Sequence, residues 1–268
     1  MALRDITLGQ YFPGRTILHR MDPRTKLLLT ILYITALFLA RWVVSYAVLI
    51  VVLAVMAAVS KVGLKAIVRG MKPVVVIILI TALLNLFYTP GREIWRWGFL
   101  HITAEGVQTA IFMVFRILLL ITCTFLLTYT TSPILLTDGL ERLLGPLKKI
   151  RVPVHELAMI MSIALRFIPT LIEETDKIMS AQTARGADFD SGNLIQRAKA
   201  LIPLLVPLFI SAFRRADELA VAMECRCYHG GEGRTRLRVL KFQFFDCLAL
   251  FLGAALVALI VALRRFGL

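Results

Sequence analysis

Two arginines carry the clearest chemical signal in this chain of 268 residues, one in Ala184-Arg185-Gly186 and the other in Cys225-Arg226-Cys227. A guanidinium is a planar, multi-donor cation that pairs well with carboxylates and is enriched at interface hot spots. Two of them, each flanked by small residues, point to docking of a partner rather than to bond-making. Cys225, Cys227 and His229 are soft ligands close in sequence, but no fourth ligand accompanies them, so no metal site is assigned. Arg116 and Asp246 stand in apolar runs, where a charge needs an acid, a carbonyl or water beside it. Arg116 is read as a structural anchor, either paired with Asp246 or holding a helix contact. Asn85 is expected to make an interhelical hydrogen bond. No Walker lysine loop, dinucleotide turn, His-Glu-x-x-His or Gly-x-Ser-x-Gly motif occurs, so the chain is expected to be non-catalytic, to need no cofactor and to lack an ATP-hydrolysing site of its own.

The elements that must position the two arginines are long helices. Leu157, Ile160, Ala164, Phe167, Leu171, Glu174, Ile178 and Ala181 step by three and four residues, and the next step lands on Arg185. One acid, Glu174, interrupts that stripe. Ile202, Leu205, Phe209, Ala212, Ala216, Leu219 and Met223 keep the same rhythm, and the next step lands on Arg226. Each arginine therefore ends a mostly apolar seam. A cation in the last helical turn is favoured by the helix dipole, and Gly186 and the Gly230-Gly231 pair can take the left-handed turn that stops a helix. Asp176 and Asp217 each precede their arginine by two and a half turns, so neither faces it.

Around this pair the composition is that of a polytopic membrane protein, with 59% apolar residues and a mean hydropathy of +0.80. The four cysteines form no disulfide framework and suit a reduced, cytoplasmic setting. The net charge of +14 is read as orientation rather than as nucleic-acid binding. Residues 1–21 are expected on the membrane surface. Asp22-Pro23 is an N-cap followed by a proline at the first helical position, opening a first span over 26–40. Arg41-Trp42 separates it from a second over 43–59, with a single re-entrant element as the alternative. Residues 61–72 read as a basic amphipathic link on the anionic leaflet, and Pro73 opens a third span to Tyr88. A turning loop with Trp95, Trp97 and His101 belongs in the interface, and a fourth span runs over 104–131. Ser132-Pro133 starts a short helix ended by Gly145-Pro146. A basic connector, 234–241, leads to a last span over 242–263.

Lysine and arginine then divide as 5 before Leu27, 4 in 61–72 and 16 in 132–241. Only Arg41, Arg92, Arg96, Arg264 and Arg265 fall on the other side, so the N-terminus and the large region are assigned to the cytoplasm. The expected organisation is 1–131 with four transmembrane helices, 132–241 as a cytoplasmic domain, and 242–268 with the last span. A seven-pass alternative treats His155 to Leu171 and Leu201 to Phe213 as short spans. Arg166, Pro169, Pro203 and Pro207, together with the short lengths, argue against it.

Several stretches together resemble the transmembrane T component of energy-coupling factor transporters, the EcfT/CbiQ family of the ATP-binding cassette importers. They are Leu18-His19-Arg20-Met21-Asp22-Pro23-Arg24-Thr25-Lys26-Leu27, Thr131-Ser132-Pro133, Arg166-Phe167-Ile168-Pro169, Ala181 to Gly186, and Ala222 to Tyr228. The resemblance implies an all-α, L-shaped molecule with about five transmembrane helices and cytoplasmic coupling helices, located in the cell membrane. It implies two ATPases as partners, docked on Ala184, Arg185 and Gly186 and on Cys225, Arg226 and Cys227. It also implies a substrate-binding S component resting on Ile160, Phe167, Leu205 and Phe209, with vitamin or micronutrient uptake as the outcome. The second motif departs from the family's usual Ala-Arg-Gly, which leaves the helix stop to Gly230. Two other classes are weighed. An intramembrane enzyme would need more than Arg116 and Asp246, and a self-contained permease or channel would need polar residues along several spans, which are nearly bare of them.

Overall fold

A computed structural model describes residues 11–97, 100–187, 189, 193–230 and 240–266. The surface placement expected for residues 1–10, the connector over 234–239, and Gly231 and Gly192 lie outside them. The fold is all-α apart from one hairpin. Its helices are α1 (Ile17–Arg20), α2 (Pro23–Leu39), α3 (Val43–Ser60), α4 (Leu64–Tyr88), α5 (Ala104–Thr130), α6 (Pro133–Leu143), α7 (Val154–Ala184), α8 (Leu194–Ala200), α9 (Ile202–Glu224) and α10 (Phe244–Phe266). A 3-10 turn, Gly145–Ile150, lies between α6 and α7. The chain divides into two compact units, one of Gly9–Gly139 with Leu240–Leu268 and one built on Leu140–Val239.

The first unit packs α2, α3, α5 and α10 around one apolar centre: Ala36 and Leu37 of α2, Leu49 and Leu53 of α3, Cys123 and Leu126 of α5, and Ile260 of α10. Helix starts follow the residue chemistry. Asp22 accepts from the Arg24 N–H at 2.9 Å and caps α2 with Pro23 at its first position. Thr103 caps α5 by accepting from the Gly106 N–H at 3.0 Å. A buried lysine closes the floor: Lys26 Nζ donates to Thr130 O at 2.9 Å and to Thr131 Oγ1 at 3.0 Å. Those two acceptors at the end of α5 meet a cation that would otherwise be buried at great cost.

Among the described residues, five helices are long and apolar enough to cross a membrane: α3, α4, α5, α7 and α10. The number agrees with the expectation, but the set does not. The first expected span, α2, has 17 residues, the shortest of the apolar helices in its unit. α7 qualifies because it is long and holds an apolar window of spanning length with few charges. It runs 31 residues, about 46 Å at 1.5 Å per residue, straight through Pro169. A proline inside a helix removes one N–H and kinks rather than stops it when neighbours hold both halves. Arg166, Pro169 and Pro207 are therefore no barrier to continuous helices here, and the length argument fails for α7, whereas α9 is not among the described helices apolar enough to cross. The same physics corrects the link over 61–72, whose residues 64–72 are the first part of α4, with Pro73 inside the helix.

Of three polar expectations only that for Asn85 is overturned, while the loop and Arg116 take forms the sequence left open. The loop after α4 is an antiparallel hairpin, β1 (Glu93–Trp97) with β2 (Leu100–Thr103), in which Trp95 pairs with Ile102 and Arg96 with His101. Asn85 stays within its own helix, its amide donating to Thr81 O at 2.8 Å. Arg116 does not meet Asp246. It donates to Tyr46 Oη at 3.1 Å and to Ala40 O at 3.4 Å, with the Phe38 ring 5.8 Å away. α2 ends at Leu39, so the carbonyl of Ala40 has no helical donor, and the guanidinium of α5 supplies one.

Candidate functional site

The two arginine motifs lie in the second unit, where α7 and α9 pack on each other. Their ends share one geometry. At the end of α7, the Gly186 N–H donates to Thr183 O at 3.0 Å and the Ala187 N–H to Gln182 O at 3.0 Å, with Gly186 at φ 90°. At the end of α9, the Cys227 N–H donates to Glu224 O at 2.8 Å and the Tyr228 N–H to Met223 O at 3.1 Å, with Cys227 at φ 54°. Each is a Schellman stop, with paired bonds from the left-handed residue and its successor back to the last turn. Arg185 and Arg226 occupy the same position in it, immediately before the left-handed residue. The expected stop at Gly230 is thus corrected: Cys227 itself takes the left-handed conformation.

Both arginines are exposed, as are Ala184, Gly186, Cys225 and Cys227. Neither has an ion-pair partner among the described residues. The last-turn carbonyls around each side chain make the tip a place where a cation is stabilised in the free state, so the site costs little to hold open. His229 Nδ1 lies 2.8 Å from Cys227 O. Among the described residues no cluster of three metal-ligating side chains occurs.

The helices that carry the tips are tied by a contact the sequence reading did not foresee. Glu174, the acid interrupting the α7 seam, accepts from Ser211 Oγ and from Arg215 Nη2 at 2.7 Å and Nε at 3.1 Å. The signal was present in the seam acid and in the four-residue spacing of Ser211 and Arg215 beside Ala212. Asp176 and Asp217, whose matched spacing drew notice, make no ion pair among the described residues. At the other end, His155 Nδ1 of α7 lies 3.0 Å from Glu141 of α6.

Of the four apolar residues expected to form a platform, Ile160, Leu205 and Phe209 are exposed at 60%, 44% and 61%. Phe167 is half-buried. Phe213 is exposed as well, at 69%. Large apolar side chains left open on both helices of the pair form a surface suited to lipid or to another apolar protein face.

A family model described as cobalt transport protein, CbiQ, matches residues 14–237. The energy-coupling factor transporter transmembrane protein EcfT of Ruminiclostridium cellulolyticum is 56% identical over 246 residues, covering 92% of each chain. The protein of the same description from Thermosediminibacter oceani is 54% identical over 264 residues, covering 98% of this chain and 99% of its own. That of Bacillus subtilis is 50% identical over 258 residues, covering 96% and 97%.

Proposed function

The chain belongs to the EcfT/CbiQ family of transmembrane transporter proteins, and from that membership we propose that it is the coupling scaffold between two cytoplasmic ATPases and a substrate-binding S component. It is a multi-pass membrane protein, and the excess of lysine and arginine supports a cytoplasmic N-terminus and cytoplasmic tips at the ends of α7 and α9. The observation that carries the reading is the pair of identical helix stops, each presenting one exposed, unpaired arginine. Two like tips suit two like partners. Arg185 would enter an acidic groove of one ATPase and Arg226 that of the other, with the small residues beside each letting the backbone approach closely.

Motion at the tips would reach the rest of the chain because α7 and α9 are clasped by Glu174, Ser211 and Arg215. ATP-driven closure of the ATPases would then move both helices as a unit. The exposed apolar residues Ile160, Leu205 and Phe209, with the half-buried Phe167, would pass that motion to the S component for uptake of a vitamin or other micronutrient. Binding of lipid is the remaining demand on the apolar surface, and no role in nucleic-acid binding is assigned.

The test is co-purification and uptake with Arg185→Glu and Arg226→Glu combined. The wild-type chain should bring down two ATPase chains and a small membrane protein. The double reversal should lose the ATPases, or should keep them and lose ATP-dependent uptake. Wild-type association together with wild-type uptake would overturn the assignment.

A further inference from the structure

We propose that a basic cleft between the segment before α1 and the start of α4 holds the headgroup phosphate of an anionic phospholipid whose acyl chains lie along the outer face of α4. The cleft measures about 530 Å³ and takes cations from two directions: Arg15 from one wall, and Lys61, Lys65 and Arg69 from the other. Among the described residues no acidic side chain lines it. All four cations are exposed and unpaired among the described residues. Four like charges held together repel one another, and an anion in the middle removes that penalty.

The walls are fixed without a ligand. The Phe12 N–H donates to Tyr129 O at 3.0 Å, and His19 folds the strap onto itself, its Nε2 3.1 Å from Phe12 O and its Nδ1 2.6 Å from Thr16 Oγ1. Tyr129 Oη in turn donates to Ala66 O of α4 at 3.3 Å. On the opposite wall Lys61 takes the left-handed conformation at φ 54°, and Ser60 Oγ accepts from the Val62 N–H at 3.2 Å. Gly63, at the start of α4, offers no side-chain cap; the Ala66 N–H is taken by Gly63 O at 2.8 Å, while the Leu64 and Lys65 amides have no intrahelical partner and remain available to an acceptor.

The same cations could take free phosphate, but the helix face beyond them argues for a lipid. Lys65, Arg69 and Lys72 continue at three- and four-residue steps into Val76, Leu79, Ile80 and Leu83, which are 44–61% exposed. One stripe of α4 is therefore cationic at its first two turns and apolar for the rest, the order in which a phospholipid is built. The proposal goes beyond the coupling reading and needs only the membrane location.

The full chain would be reconstituted in vesicles of equal phosphatidylglycerol and phosphatidylcholine, extracted in mild detergent, and its retained lipid measured by mass spectrometry. Phosphatidylglycerol should be enriched over phosphatidylcholine. Lys61→Gln with Lys65→Gln and Arg69→Gln should lower that enrichment at least about tenfold, while Arg264→Gln with Arg265→Gln should not change it. Should the triple variant misfold, the wild-type chain still decides: its enrichment should fall steeply as salt rises from about 0.05 to about 0.5 M. Enrichment that is indifferent to both the variant and salt would overturn the proposal. So would displacement of the lipid by inorganic phosphate at equal concentration, since that would make this a site for the free ion.

Discussion

The backbone N–H of Asp22 donates to the carboxylate of Asp246 at 3.0 Å, joining residues 224 apart in sequence. The second oxygen of Asp246 accepts from the Gln243 N–H at 2.8 Å, so one carboxylate serves the start of α10 and the entry to α2 together. Asp22 is 5% and Asp246 1% exposed, which makes the pairing costly to lose. Asp246→Ala leaves two donors without an acceptor, and it should destabilise the detergent-solubilised chain by about 2–4 kcal/mol. Asp246→Asn keeps one acceptor and should lose less. Thermal unfolding followed by tryptophan fluorescence would rank the three; an alanine variant melting with wild type would remove the tie from any role in holding α2 to α10.

Cys227 is a non-glycine residue in the left-handed region, at φ 54°. Such a residue carries a penalty of about 1–2 kcal/mol relative to glycine, part of which glycine returns through its freer unfolded state. Cys227→Gly should therefore stabilise the end of α9 by about 0.5–1 kcal/mol, and Cys227→Val should weaken it by at least as much. The amide of Tyr228, bonded to Met223 O, reports this directly. Its hydrogen exchange should slow severalfold in the glycine variant and quicken in the valine one.

Tyr46 accepts from Arg116 and stacks on Phe112 with ring centroids 5.0 Å apart. Tyr46→Phe preserves the stack and removes only the acceptor, leaving the guanidinium with the Ala40 carbonyl. The expected loss is about 1–3 kcal/mol, since the bond involves an ionised donor in a half-buried place. A larger loss for Arg116→Leu than for Tyr46→Phe would apportion the remainder to Ala40.

What the sequence reveals and conceals divides along physical lines. Apolar period and caps are local, so the seams ending at Arg185 and Arg226 and the Asp22-Pro23 start were legible without coordinates. Breaks were misjudged where a tertiary neighbour overrides a local rule. Pro73 and Pro169 remain inside helices, and Cys227 does a glycine's work. Polar partners were the least legible. Arg116 took the helix contact that was one of its two expected roles, at a carbonyl left over at a helix end and not at Asp246, and Asn85 found its own helix. Glu174 looked like a flaw in its stripe until Ser211 and Arg215 were placed opposite it. The Arg116 and Glu174 contacts join residues far apart in sequence, which period and composition do not encode, whereas Asn85 turns back to Thr81 one turn away.

The Glu174–Arg215 contact, with side chains 21% and 35% exposed, is open to water and worth correspondingly little as a pair. A double-mutant cycle with Glu174→Gln and Arg215→Gln should give a coupling of about 0.5–1 kcal/mol, reduced by salt. Its mechanical role is separable from its stability. Under the proposed function, both single variants should retain ATPase association while lowering uptake per ATP hydrolysed. Uptake per ATP at the wild-type value in both would mean that packing alone couples α7 to α9.

The cysteines provide a direct reading of where the tips are and what covers them. Cys225 and Cys227 are exposed thiols on either side of Arg226, whereas Cys123 is 4% exposed within the helical core. A membrane-impermeant maleimide should label Cys225 and Cys227 in inside-out vesicles and leave Cys123 unmodified until the chain is unfolded. In right-side-out vesicles the same pair should be protected under the proposed orientation, in which α9's end is cytoplasmic. Adding the ATPases to inside-out vesicles should slow labelling of the pair at least severalfold, and Arg226→Glu should restore the original rate. The two arms are independent: labelling of the pair from outside would refute the orientation, whereas labelling unaffected by the ATPases would refute docking at this tip even with the orientation correct.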